Sequence, residues 1–219
     1  MNRYELIAGY AIAGFGAIQR GLELAPFLEW VDGELGQEGQ EWPYDQEPAP
    51  RVLEIGSDAG GTLFCWRFLW PDATVVSVSL EEGPYATARP CEAHGATPIE
   101  GDSHAPATLE LVQEVLGGEP IDLLFIDGDH SLNGCMADVL DYGPLLRPGG
   151  ILALHDVSPH EYVDPPCEVD KVWELLAGEV ATGSLTWQAP RVFASPEEPV
   201  WGGIGTLRKR AQVSAVAAR

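Results

Sequence analysis

The chain has 219 residues, 45% of them apolar, which suits one sizeable domain and leaves too little for a second independent one. Its formal net charge of −22 repels phosphate backbones and anionic bilayers, so nucleic acid and membrane surfaces are poor partners. The four cysteines, Cys65, Cys91, Cys135 and Cys167, form no CxxC pair and no zinc-knuckle spacing, as expected of free thiols in a reducing cytoplasm.

Residues 4–32 read as helical, with breaks expected near Gly14 and Gly16 and again at Pro26. The apolar run "LIAGYAIAGFGAI" (6–18) follows Arg3, as an export signal would. Glu5 interrupts it, no A-x-A site follows, and it is too short to span a bilayer. A helix packed on this domain, or on a second copy in a homo-oligomer, is the expectation. Residues 33–50 are polar, acidic and Pro-rich and read as an exposed connection.

Strands and helices then alternate. "RVLEIG" (51–56), "TVVSVSL" (74–80), "ATPIEG" (96–101), "IDLLFID" (121–127) and "GGILALHD" (149–156) read as strands. Residues 61–70, 84–94, 107–117, 131–146 and 169–178 read as helices. "RVFAS" (191–195) and "GGIGTLRK" (202–209) read as a closing hairpin. The expected fold is α/β: a doubly wound, seven-stranded, mostly parallel sheet with an antiparallel edge. An N-terminal helical segment and connection (1–50) precede the main domain (51–219). The tail "AQVSAVAAR" is expected to fray.

Ligands of such sheets bind beyond the carboxyl ends of the strands. The first strand leads into "EIGSDAGGT" (54–62). Gly56 permits a tight turn, and Gly60 and Gly61 let backbone approach a ligand closely. Thr62 can cap the helix that follows. The loop lacks the G-x-G-x-x-G spacing of dinucleotide sites and the Lys of a P-loop. Its E-x-G-x-x-x-G-x-T spacing resembles the first motif of class I S-adenosylmethionine-dependent methyltransferases, which have a Rossmann-like fold. The resemblance implies that Gly56, Ser57, Gly60, Gly61 and Thr62 back the amino acid part of the cofactor. It implies that Glu54 helps hold the cofactor's ammonium. The family usually ends its second strand with an acid that binds both ribose hydroxyls. Here Ser79 stands at that position, with Glu81 or Glu82 one turn later. Asp102 falls where relatives place a polar group near the adenine.

The stretch "FIDGDHSLNGCMADVLDYGPLLRPGGILALHDV" (125–157) runs two apolar segments into acids and histidines. If strands four and five are neighbours, Asp127, His155 and Asp156 meet at one rim, about 4.8 Å apart by strand spacing. Clustered carboxylates repel unless a cation or proton intervenes. Oxygen ligands with at most one imidazole suit Mg²⁺, Mn²⁺ or Ca²⁺ better than zinc. This stretch, with "QRGLELAPFLEWV" (19–31) and "VLEIGSDAGGTLFCW" (52–66), is similar to one methyltransferase branch over most of residues 19–207. That branch holds cephalosporin-hydroxylase-like proteins and the macrolide and rhamnosyl sugar O-methyltransferases.

The resemblance implies Mg²⁺ or another divalent cation on Asp127, His155 and Asp156, with Asp127 also near the cofactor. Relatives usually carry Glu-Asp or Asp-Asn at the second pair, so His155 departs from the pattern, and Asp129 could complete the shell instead. His130, three residues after Asp127, matches a general base of catechol-type relatives. Each residue also has a structural role open to it. Asp127 and Asp129 could cap the following helix, Asp156 a loop, and the histidines could be rim or solvent-facing residues. His160 and Asp164 sit on a Pro-rich loop (158–168) that could cover substrate. The expected function is methyl transfer from S-adenosylmethionine to a hydroxyl of a small molecule, a sugar or natural product. The alternative is a binding or assembly protein that keeps the fold without the chemistry, which Ser79 favours. The glycine spacing argues against a nicotinamide enzyme.

Overall fold

The computed structural model describes residues 1–17, 19–36, 49–80, 88–159, 166–195 and 202–211. The expectations for most of the 33–50 connection, Glu81, Glu82, His160, Asp164 and nearly all of the tail fall outside them.

Seven strands form one sheet: β1 (Arg51–Ile55), β2 (Thr74–Ser79), β3 (Thr97–Glu100), β4 (Ile121–Ile126), β5 (Leu146–His155), β6 (Trp187–Phe193) and β7 (Ile204–Lys209). Their order is β3-β2-β1-β4-β5-β7-β6. The first five are parallel, and β7 runs antiparallel between β5 and β6. The chain winds outward from β1 and returns to β4 beside it, so the order reverses between β1 and β4. That reversal opens a crevice at the carboxyl ends of the strands.

Helices α1 (Arg3–Phe15), α2 (Gly21–Leu35), α3 (Gly61–Leu69), α4 (Ala88–His94), α5 (Pro106–Val115), α6 (Leu132–Tyr142) and α7 (Val169–Thr182) cover the two faces. Strand side chains alternate between faces. Val52, Val75, Leu123, Phe125, Ile151 and Ala153 point toward α1, α2 and α3. Leu53, Val76, Val78, Leu124, Ile126 and Leu152 point toward α5, α6 and α7. Both faces of the central strands are therefore apolar, as a parallel sheet requires.

The N-terminal segment shares this core. Tyr4, Ile7, Ala8 and Ala11 of α1 belong to the core of the first face, where α1 packs against α2 and α3. The apolar helix thus finds its partner within the chain. Asn2 and Glu5 form a capping box at its start. α1 ends at Phe15 and α2 begins at Gly21, and Pro26 does not interrupt α2. Leu24, Phe27, Leu28 and Val31 are fully buried there and hold the helix through the proline. Phe27 meets Phe125 and Trp66 at ring-centroid distances of 6.0 and 6.1 Å, which seats α2 on the sheet.

Two strands are longer than their sequence signals. β5 begins at Leu146, and β6 begins at Trp187. Pro190 obscured the latter, because it cannot donate to a ladder. The β6–β7 pairing shifts register between Gln188 and Arg191 to accommodate it. Among the described residues no helix is long and apolar enough to cross a membrane.

Candidate active site

The loop after β1 is pressed against the end of β4. The Gly56 N–H donates to the Val78 carbonyl at 2.9 Å, and the Asp127 N–H donates to the Ile55 carbonyl at 2.8 Å. A Cβ on Gly56 would stand 2.2 Å from the Asp127 carbonyl oxygen, and Gly56 has φ +83°. Only glycine meets both demands without strain. A Cβ on Gly61 would stand 2.4 Å from the Ala17 nitrogen. The segment between α1 and α2 therefore closes on the glycine loop from the other side.

Beyond β4, Asp129 Oδ1 accepts from the Ser131 N–H at 2.8 Å, and Ser131 caps α6 through a 3.0 Å bond from the Gly134 N–H. Ser131 is thus the cap, and Asp127 is left free for other work. Beyond β5, Asp156 adopts φ +62°, a left-handed conformation that costs a non-glycine residue about 1–2 kcal/mol. The bend brings its carboxylate back toward Asp127. His130 Nε2 lies 3.3 Å from Asp127 Oδ1 and 3.4 Å from Asp156 Oδ2. His155 Nδ1 lies 3.2 Å from Asp127 Oδ1 and 3.4 Å from Asp156 Oδ1. The two strand ends therefore deliver two carboxylates and two imidazoles into one cluster.

The charges answer one another. Burial alone would raise Asp127, but His155 and His130 hold it well below the usual carboxylate range. The bond to Asp127 raises His130, against its partial burial, with Asp156 adding to the effect. Burial opposes protonation of His155, yet Asp127, then Asp156 and Glu23, keep it well above the usual imidazole range.

A cavity of about 880 Å³ opens beside this cluster, within the roughly 300–1,000 Å³ of small-molecule sites. Gly56, Ser57, Gly61 and Thr62 line it at the glycine loop, and Ser79 and Asp102 at the ends of β2 and β3. Asp127 and His130 line it at the end of β4. His155 and Asp156 do not line the cavity; they sit behind Asp127, both buried. Gly60 and Glu54 also lie outside the lining. Asp102 is engaged locally, accepting from the His104 N–H at 2.9 Å.

Residues 53–157 match a family model described as a methyltransferase domain. The match covers a little under half of the chain and shows a likeness to a methyltransferase domain. Solved structures agree on the fold. MycE, from the mycinamycin biosynthetic pathway and bound to Mg, S-adenosylhomocysteine and mycinamycin VI, aligns with TM-score 0.64 at 13% identity. That alignment covers 99% of this chain and 57% of MycE, so the chain spans little more than half of that relative. TomG from Streptomyces achromogenes, an O-methyltransferase of tomaymycin synthesis bound to S-adenosylmethionine, aligns with TM-score 0.58 at 17% identity, covering 96% and 91% of the two chains. An O-methyltransferase family protein from Burkholderia thailandensis aligns with TM-score 0.52 at 14% identity, covering 86% and 56%. No curated protein matches the chain in sequence.

Within the matched residues, Glu54 lies apart from the cavity lining. It is fully buried, its oxygens bonded by the Thr62 hydroxyl at 2.5 Å and by the Trp66 indole N–H. Burial pushes its carboxyl up to about 8, against the pull of those two bonds. The raised group keeps its proton in the fold over a range where the unfolded chain has lost it. Its contribution to stability is therefore present below the usual glutamate pKa of about 4.3 and lost as pH rises through about 8. Glu54→Gln is expected to flatten that decline, by an amount on the order of a few kcal/mol between these limits. Thermal unfolding of both proteins from pH 5 to 9 measures it; parallel curves would show that Glu54 does not titrate there.

The cluster also draws on groups from outside residues 53–157. Gln19 Nε2 donates to Asp127 Oδ2 at 2.6 Å. Glu23 of α2 accepts from His155 Nε2 at 3.1 Å. Both residues lie in the stretch 19–31 that carries part of the resemblance, but nothing in it singled them out as site residues. Cys167 lines the cavity near His130 and Asp156. Burial pushes its thiol up to about 11, so it stays protonated at neutral pH and is a weak ligand.

Proposed function

We propose that the chain is an S-adenosylmethionine-dependent O-methyltransferase acting on a hydroxyl of a small molecule, a sugar or other natural product, with help from a divalent cation. The observation that carries this reading is a cluster of Asp127, Asp156 and two imidazoles that reaches, through Asp127 and His130, the wall of a cavity that begins at the glycine loop. The acceptor class rests on likeness: MycE is bound to mycinamycin VI, and TomG belongs to tomaymycin synthesis. The sequence stretches that resemble macrolide and rhamnosyl sugar O-methyltransferases point the same way.

The residues present fit a cation. Asp127, His155 and Asp156 each offer a ligand atom, all within 4.8 Å of one another. Gln19 Oε1 is buried beside Asp127 and has no hydrogen-bond partner among the described residues. When bound, a divalent cation would lower the pKa of a hydroxyl it holds. The chain's own residues do the rest. The glycine loop and the ends of β2 and β3 bind the cofactor and orient its methyl group toward the cluster. His130 faces the cavity and accepts the hydroxyl proton, its ring held by Asp127 and Asp156. Cys65, Cys91, Cys135 and Cys167 are free and buried, which supports a reducing, cytoplasmic setting.

Calorimetry with S-adenosylmethionine tests the first requirement. Ser79 replaces the usual ribose-binding acid, and a hydroxyl cannot make the bidentate pair of a carboxylate. Binding in the micromolar range is expected, and Ser79→Asp is expected to tighten it about tenfold, one good hydrogen bond to a charged group. No heat at millimolar ligand would favour a non-catalytic protein that retains the fold.

A further inference from the structure

His155 is the residue that departs from the oxygen-only pattern of metal-dependent relatives, and its environment explains the departure. Its imidazole lies between two sets of carboxylates. Nδ1 faces Asp127 and Asp156, and Nε2 faces Glu23. Glu23 is fully buried and fixed by the backbone. Its Oε1 accepts from the Arg20 N–H at 2.8 Å, and its Oε2 accepts from the Gly203 N–H at 2.7 Å. A carboxylate so held can only accept from the imidazole. It takes the Nε2–H, which leaves Nδ1, directed at the two aspartates, as the nitrogen a cation would take in place of its proton. A carboxylate behind a histidine, fixing its tautomer and presenting the other nitrogen, is the arrangement that supports imidazole as a metal ligand.

A second observation lies on the cavity side of Asp127. Gln19 is 4% exposed and lines the cavity beside Asp127. Its amide nitrogen is used on Asp127, but its Oε1 has no partner among the described residues. A buried acceptor of this kind is costly unless a donor arrives. A hydroxyl or water brought to the cluster would supply one.

We propose that this site selects a first-row transition-metal cation over Mg²⁺, and that Glu23 is the positioning residue that turns His155 Nδ1 onto it. The inference rests on the metal-assisted reading above and deepens it. Mg²⁺ demands oxygen ligands and gains little from imidazole. Mn²⁺ and the ions after it accept mixed nitrogen and oxygen sets, with affinity rising along the row. One imidazole and two carboxylates therefore reverse the usual oxygen-only preference. Glu23 lies on α2, outside residues 53–157, so this selection is imposed from the N-terminal helices.

The full chain, stripped with chelator and saturated with S-adenosylhomocysteine, is titrated with MnCl₂ and followed by the electron paramagnetic resonance of free Mn²⁺. Mg²⁺ then competes. Mn²⁺ is expected to bind at least about tenfold tighter than Mg²⁺, with nitrogen modulation in the echo of the bound ion. Glu23→Gln is expected to weaken Mn²⁺ by about 10–100-fold. His155→Asp is expected to abolish the nitrogen signal and the preference while still binding Mg²⁺, which covers the case in which Glu23→Gln fails to fold. Equal affinities for the two ions, or bound Mn²⁺ without nitrogen modulation, would overturn the selection and leave metal assistance standing. Failure of both ions to bind would overturn metal assistance itself.

Discussion

Replacing His130 with alanine is expected to lower methyl transfer by about 10²–10⁴-fold, with cofactor affinity largely unchanged. The ring lines the cavity, and its Nε2 sits 3.3 and 3.4 Å from the Asp127 and Asp156 carboxylates, so its position is fixed from two strand ends. The hydrogen bond it makes to Asp127 raises its pKa above the usual imidazole range. A general base works only unprotonated, so wild-type kcat/KM is expected to climb as pH rises through that raised value. The alanine variant loses this limb. The stability linkage has the opposite sign. A raised histidine adds stability below its unfolded pKa, about 6.5, and loses it as pH rises through the folded value. Activity therefore increases over the same pH interval in which the His130–Asp127 pair ceases to stabilise the fold. Paired pH profiles of rate and of Tm, wild type against His130→Ala, measure both. A variant with wild-type turnover would remove His130 from the mechanism.

The sheet was legible because its evidence is local. Short β-branched runs ending in glycine or acid alternate with helical spacing, and right-handed crossovers leave few ways to order such strands. The adjacency of β4 and β5 follows from that order, and it brings Asp127 beside His155 and Asp156. What stayed hidden depends on side-chain direction or on distant chain. Glu54 lies on the same face of β1 as Val52, which belongs to the same core as Trp66 and Phe125. Strand alternation sends it into that core and away from the cavity. Gln19 and Glu23 meet partners 108 and 132 residues away. A signal for Glu23 did exist. It directly precedes Leu24 and stands four residues before Phe27, so a helix burying those two also buries an acid. A buried acid without a local partner calls for a distant one. Pro26 drew attention as a breaker and masked that reading.

Gly56→Ala is expected to be the most damaging single-methyl change in the chain. The new Cβ would stand 2.2 Å from the Asp127 carbonyl oxygen, 2.6 Å from its carbon and 2.8 Å from Gly128 Cα. All three are backbone atoms, so no side chain can swing aside. The residue must also hold φ +83°, which costs an L-residue about 1–2 kcal/mol. Forcing β1 and β4 apart adds the cost of overpacking, about 1–3 kcal/mol. Together the loss should be roughly 2–5 kcal/mol of stability. The functional loss has a separate cause. Relief of the clash moves Asp127 relative to the glycine loop, and with it the carboxylate that His130 and His155 share. Cofactor affinity and metal affinity should therefore fall together even at temperatures where the variant is folded. Gly178→Ala provides the contrast. Gly178 sits inside α7 with nothing within 4 Å of an added Cβ, and alanine there should stabilise the helix by up to about 1 kcal/mol. Thermal unfolding and calorimetry on both variants separate a general glycine effect from one specific to the β1–β4 contact. Wild-type affinity in a folded Gly56→Ala protein would show that the cluster does not depend on that contact.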